Sequence, residues 1–229
     1  MEIKVIKNIL GENDRFAAEN MALFKDKNVF VVNFMGSPGA GKTSVLERTM
    51  EKLGGELRMA VIEGDLFTSK DADRIDKYGV PVIQINTAGG CHLDANMVQK
   101  TAKDIDLDAL DLLVIENVGN LVCPAEFALG EDARAVVLSV TEGDDKPMKY
   151  PLMFKESEIA LINKIDLAPY CNFDRKSAKE DIEMLHPGIV VQEVSCTTGE
   201  GIDAWCDWLK AGVAKKKNEC HAFVRAPAK

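Results

Sequence analysis

The sequence predicts an α/β fold: a mostly parallel sheet with helices on both faces, led by a short N-terminal helix. Three observations predict it. Short apolar, β-branched runs alternate with helical stretches along most of the chain. Glycine-rich or polar turns follow the carboxyl ends of those runs, where such folds place their ligands. The 229 residues, 46% hydrophobic and 28% charged, suit one sizeable domain with a proper core.

The elements follow in order. Phe16, Ala17, Met21 and Phe24 fall at helical spacing, which predicts a helix over about 13–25, with Asn13 or Asp14 to cap it. An apolar strand over 28–35 stops at Gly36. A helix over 42–53, a strand over 57–62, a helix over 68–78 and a strand over 80–85 come next. After the Gly89-Gly90 turn the pattern predicts a helix over 93–105. Strands over 112–116, 135–140 and 158–162 precede a helix over 174–185, a strand over 189–194 and a last helix over 202–213. Residues 1–27 are expected to form a helical extension, 28–214 the main domain and 215–229 a tail. The Lys215-Lys216-Lys217 run reads as a solvated helix end.

Gly36-Ser37-Pro38-Gly39-Ala40-Gly41-Lys42-Thr43 fits the phosphate-loop pattern, with Ser44 next in the helix it opens. Its glycines let backbone N–H groups turn inward and cradle phosphate oxygens at a helix N-terminus. Lys42 is expected to reach the β- and γ-phosphates, and the Thr43 hydroxyl to bind Mg²⁺. The sheet is therefore of the P-loop NTPase type.

Asn163-Lys164-Ile165-Asp166 follows a strand and selects the base. An aspartate carboxylate there accepts from the N1–H and N2 amino group of guanine, a donor pair that adenine lacks. Asn163 would brace the loop, and the Lys164 stem would pack on the base. Ser195-Cys196-Thr197 resembles the last GTPase box, usually Ser-Ala-Lys, with the Cys196 N–H addressed to guanine O6. GTP and GDP are thus the expected ligands.

Glu116-Asn117-Val118-Gly119 resembles the D-x-x-G switch with Glu for Asp. Its carboxylate would hold Mg²⁺ through water, and the Gly119 N–H would sense the γ-phosphate. Asp65 suits either Mg²⁺ or the attacking water, or else a helix cap ahead of Thr68. Asn120 stands where a glutamine would position water, so slow GTP hydrolysis is expected.

Four residues past Gly119 lies Cys123, and Cys91-His92 ends another strand. Two thiols and an imidazole suit Zn²⁺, Ni²⁺ or a copper ion, not Mg²⁺. Three ligands leave the shell to be completed by water or a symmetry mate. Cys220-His221 reads as incidental, and Cys171, Cys206 and His186 as core or surface residues.

The net charge of -9 argues against nucleic acid and anionic membranes as partners. No run spans a bilayer, the opening Met1-Glu2-Ile3-Lys4 lacks a secretory core, and the six cysteines form no disulfide-like framework. A cytoplasmic location is expected.

Together, Gly90-Cys91-His92-Leu93, the stretch from Glu116 through Cys123-Pro124, Glu142-Gly143-Asp144-Asp145-Lys146-Pro147 and Asn163 to Asp166 resemble the hydrogenase nickel-incorporation GTPases. The resemblance runs over nearly the whole chain. It implies a GTP-dependent homodimer with Cys91, His92 and Cys123 at the subunit interface. It also implies a nickel-accessory partner protein and a hydrogenase large-subunit precursor as partners. Some members carry an N-terminal cysteine motif or a histidine-rich tract; this chain opens with neither and has three histidines, which speaks against nickel storage. A urease-type nickel accessory GTPase and a nucleotide-binding metal-buffering or sensing module remain alternatives.

Overall fold

A computed structural model describes residues 9–65 and 70–224, with side chains described from 10 to 65 and from 71 to 219. The Cys220-His221 side chains and the start of the helix expected from residue 68 lie outside them.

The chain opens with helix α1 (Ile9–Asp26) and strand β1 (Phe30–Gly36), followed by α2 (Lys42–Leu53) and β2 (Met59–Asp65). Next come α3 (Lys70–Asp76), β3 (Val82–Asn86), α4 (Ala95–Ala102) and β4 (Leu112–Glu116). A one-turn helix, α5 (Cys123–Glu126), leads to β5 (Ala133–Ser139), then α6 (Lys146–Lys149) and α7 (Pro151–Lys155). β6 (Ile159–Asn163), α8 (Arg175–Leu185), β7 (Val190–Val194) and α9 (Ile202–Val224) complete it.

Among the described residues, the seven strands form one sheet in the order β3-β2-β4-β1-β5-β6-β7, and every pairing is parallel. β1, β4 and β5 are buried on both faces, which is why they read as near-continuous apolar runs. Phe34, Val61, Val114 and Leu161 face α2, α3 and α9. On the other face, Ile62 and Leu113 pack with α1 and α4, and Val136 and Ile162 with α7 and α8. Trp205 of α9 stacks on Phe34, and its indole N–H donates to Thr49 Oγ1 at 2.8 Å, so the buried polar end of the ring is satisfied.

Two expectations are corrected. β2 begins at Met59 and runs through Asp65, beyond the apolar run. Glu63 stays in the ladder because it pairs in register with Glu116 of β4. The last helix does not stop at 213 but continues to Val224, across the amino ends of the strands. Lys216 is therefore buried, not solvated: its ammonium donates to Asp132 Oδ1 at 2.5 Å, while Asp132 Oδ2 accepts the Val31 N–H. Lys217 donates to Asp111, which also takes the Arg58 fork, and these cations hold the Asp111 carboxyl well below its usual range. Periodicity alone does not reveal which acids lie under a helix.

Candidate nucleotide and metal sites

β1 lies where the strand order reverses, and the phosphate loop leaves its carboxyl end. Gly36 has φ 151°, and an added Cβ would meet the Val137 carbonyl oxygen at 2.5 Å, so the turn demands glycine. Gly41, at φ 98°, caps α2 with no side-chain hydrogen bond. The first-turn N–H groups of that helix thus face the cradle, the arrangement that favours anions. Lys42, Thr43, Ser44, Asp65, Asn117, Gly119 and Lys164 line one cleft.

The base box is tied to this cradle. Asn163, buried, donates from Nδ2 to the Ala40 carbonyl at 2.9 Å and accepts the Lys164 N–H at Oδ1, 2.7 Å away. That bond supports Lys164 in a left-handed conformation (φ 62°), from which its ammonium reaches the Gly39 carbonyl at 2.6 Å. Ser195 donates to Asp166 Oδ1 at 2.6 Å and so orients the carboxylate. Cys196 lies beside Asn163, its carbonyl held by Arg48 at 2.7 Å, and burial pushes its thiol up to about 11. The structure thus brings Asp166, Ser195 and Cys196 to one end of the phosphate loop.

At the other end stand buried carboxylates. Thr43 Oγ1 donates to Glu116 Oε1 at 2.9 Å. Glu63, which sequence reasoning missed, faces Glu116 from β2, and Oε2 of each is buried without a hydrogen-bond partner among the described residues. Burial, reinforced for Glu63 by the facing Glu116, raises both carboxyl pKa values. Oxygen donors of this kind, orphaned and buried, fit a hard divalent cation. The available signal was an acid directly after the apolar run, two residues before Asp65. Asp65 ends β2 and lines the same cleft; its carbonyl accepts the Thr87 N–H.

Two further contacts were not legible. Ser37 of the phosphate loop donates to Glu142 at 2.5 Å, and Ser44 accepts from Arg74 of α3 at 3.0 Å.

The thiols converge as expected. Cys91, His92 and Cys123 place their ligand atoms within 4.8 Å of one another, and the Cys91 and Cys123 sulfurs lie 3.0 Å apart. The hydrogen bond with Cys91, then burial, raises the Cys123 thiol pKa. His92 stacks on Phe127 at 3.9 Å between centroids, and burial lowers its pKa, which favours the neutral, ligating imidazole. This soft set is distinct from the oxygen site beside Thr43.

The two sites share a loop. Asn120 donates its N–H to the Gly36 carbonyl at 2.9 Å, and Gly119 packs so closely on Pro38 that an added Cβ would lie 2.8 Å from its nitrogen. Cys123 lies four residues past Gly119.

A phosphate loop at the reversal of a parallel sheet, with a guanine-type box beside it, defines a P-loop nucleotide-binding protein. Residues 30–192 match the family model for the CobW/HypB/UreG nucleotide-binding domain. A hydrogenase maturation factor HypB from Azotobacter vinelandii is 50% identical over 208 residues, covering 91% of this chain and 69% of that protein. The crystal structure of HypB from Archaeoglobus fulgidus superposes with a TM-score of 0.84 at 39% identity, covering 89% of this chain and 100% of that one. The crystal structure of HypB from Helicobacter pylori in complex with nickel gives 0.85 at 38% identity, covering 91% and 96%. The chain belongs to the hydrogenase maturation factor HypB family.

Proposed function

We propose that this protein is a GTP hydrolase acting in nickel delivery to [NiFe]-hydrogenase during its maturation, with GTP-dependent dimerisation coupled to metal transfer. One observation carries the reading: the strand that ends in the phosphate loop is hydrogen-bonded, at Gly36, to the loop that leads into Cys123. The nickel bound by the Helicobacter relative supports a soft-metal cargo, Ni²⁺ or Zn²⁺, at Cys91, His92 and Cys123.

In this mechanism the α2 N-terminus and Lys42 bind the phosphates, while Asp166, oriented by Ser195, takes the guanine edge. Thr43, Glu63, Glu116 and Asp65 would hold Mg²⁺, which when bound neutralises charge developing on the phosphates. The Gly119 N–H senses the γ-phosphate, and the loop after it leads into Cys123. Lys146, on the cleft that Ser37, Gly119 and Asn120 also line, reaches across to a second protomer. A nickel-accessory partner loads the site, and the hydrogenase large-subunit precursor receives the ion. These steps take place in the cytoplasm; among the described residues no helix is long and apolar enough to cross a membrane.

Phosphate release separates the reading from its rivals. Steady, slow release from GTP and none from ATP is expected, along with a dimer fraction that rises with a non-hydrolysable GTP analogue and less so for Lys146→Ala. Release from ATP, or nucleotide bound without turnover, would overturn it.

A further inference from the structure

We infer that Asn120, assisted by Asn117, is the positioning residue through which the phosphate loop sets the geometry of the Cys91-His92 pair. This inference rests on the nucleotide-coupled reading above and names the contact that carries the coupling.

The stretch from Asn117 to Asn120 is fastened on two sides. Its backbone follows β1: the Asn117 N–H donates to the Phe34 carbonyl and the Asn120 N–H to the Gly36 carbonyl, each at 2.9 Å. Its side chains hold the metal loop. Asn117 Oδ1 accepts the Leu93 N–H at 3.0 Å, just after His92, and Asn120 Nδ2 donates to the Cys91 carbonyl at 3.3 Å, just before it. His92 is therefore clamped on both sides by one loop.

The two clamps differ in freedom. Asn117 is buried, and its Nδ2 is tied to Asn33 Oδ1 at 3.2 Å, so it forms a fixed post. Asn120 is only half-buried. Its Oδ1 accepts the Val122 N–H at 2.8 Å, one residue before Cys123. Asn120 thus touches the last residue of β1, the carbonyl beside one thiol, and the residue next to the other. A shift of Gly36 or Gly119 against a phosphate group moves Asn120 with it, and so changes the spacing of the two sulfurs about His92. A linkage of this kind needs a two-state element that both ligands bias, and the longer, half-exposed Asn120 contact is the softer of the two clamps.

The test compares nickel affinity, by competition with a chromogenic chelator, in protein saturated with GDP or with a non-hydrolysable GTP analogue. Wild type, Asn120→Ala and Asn120→Asp are measured. The aspartate keeps the acceptor for Val122 but loses the donor to the Cys91 carbonyl, and it preserves side-chain shape should the alanine variant fail to fold. The thiolate-to-nickel charge-transfer absorption is recorded alongside, because a merely structural role would not make it insensitive to nucleotide. Wild type should show an affinity ratio between the two nucleotide states in the usual allosteric range of about 5- to 150-fold. In both variants the ratio should fall to near 1 and the absorption should no longer change with nucleotide. A wild-type ratio retained in either variant overturns the role of Asn120 and leaves the coupled reading standing. A ratio of 1 in the wild type overturns both.

Discussion

Replacing Asn163 with alanine should weaken guanine nucleotide binding by disconnecting the base box from the phosphate loop. The side chain, 1% exposed, makes two bonds to the backbone: Nδ2 to the Ala40 carbonyl and Oδ1 from the Lys164 N–H. Each such bond contributes about 0.5–1.5 kcal/mol net, and stranding a buried partner adds about 1–3 kcal/mol. Together they amount to roughly 2–4 kcal/mol, allowing for the overlap between the two terms. The left-handed backbone at Lys164 also loses its support. Expressed in binding, the loss is roughly 30- to 1,000-fold in the GDP dissociation constant. Expressed in the nucleotide-free protein, it lowers Tm by roughly 5–15 °C for a domain of this size. Titration calorimetry with GDP and scanning calorimetry of the nucleotide-free protein together capture the loss however it divides. A dissociation constant within about threefold of wild type, with Tm unchanged, would mean that these two bonds do not organise the site.

Two other outcomes follow from the buried groups. The Glu63 carboxyl is raised by burial and by Glu116, so the folded state binds a proton that the unfolded state releases above the ordinary glutamate range. Without divalent cations, stability should therefore fall as pH rises from the ordinary glutamate pKa through neutrality. Glu63→Gln should flatten that slope and raise Tm at pH 8; a slope identical to wild type in scanning calorimetry would refute the assignment. Phe127→Ala removes the ring stacked on His92, freeing the imidazole to leave the thiol pair. Nickel affinity should drop by about tenfold, in line with other losses of a group that orients a ligand, while GDP affinity stays within about twofold. Unchanged nickel affinity in chelator competition would show that the stacking does not orient the ligand.

Much of this protein was legible in one dimension. The alternation of apolar runs and helical stretches gave the parallel sheet, because strands covered on both faces must be apolar throughout. Gly36 to Thr43 and Asn163 to Asp166 announced themselves because phosphate and guanine each demand particular backbone freedom and donors at fixed spacing. Cys91, His92 and Cys123 could be grouped because both of their loops follow predicted strands, and a parallel sheet sends such loops to one edge.

Other features depend on which residues the fold brings opposite each other. Glu63 gained meaning only from the register that sets it against Glu116 in a dry interior. The Lys216 contact with Asp132, and those of Asn120 with Gly36 and Cys91, join segments far apart in sequence, with no local pattern to mark them. The sequence by itself determined the sheet, the nucleotide cradle and the set of candidate metal ligands, because periodicity and motif spacing are local properties. The tertiary structure alone decided which carboxylates face each other in a dry interior, that Lys216 is buried and which asparagines join the two sites. Charge burial and hydrogen bonding between distant segments are set by packing.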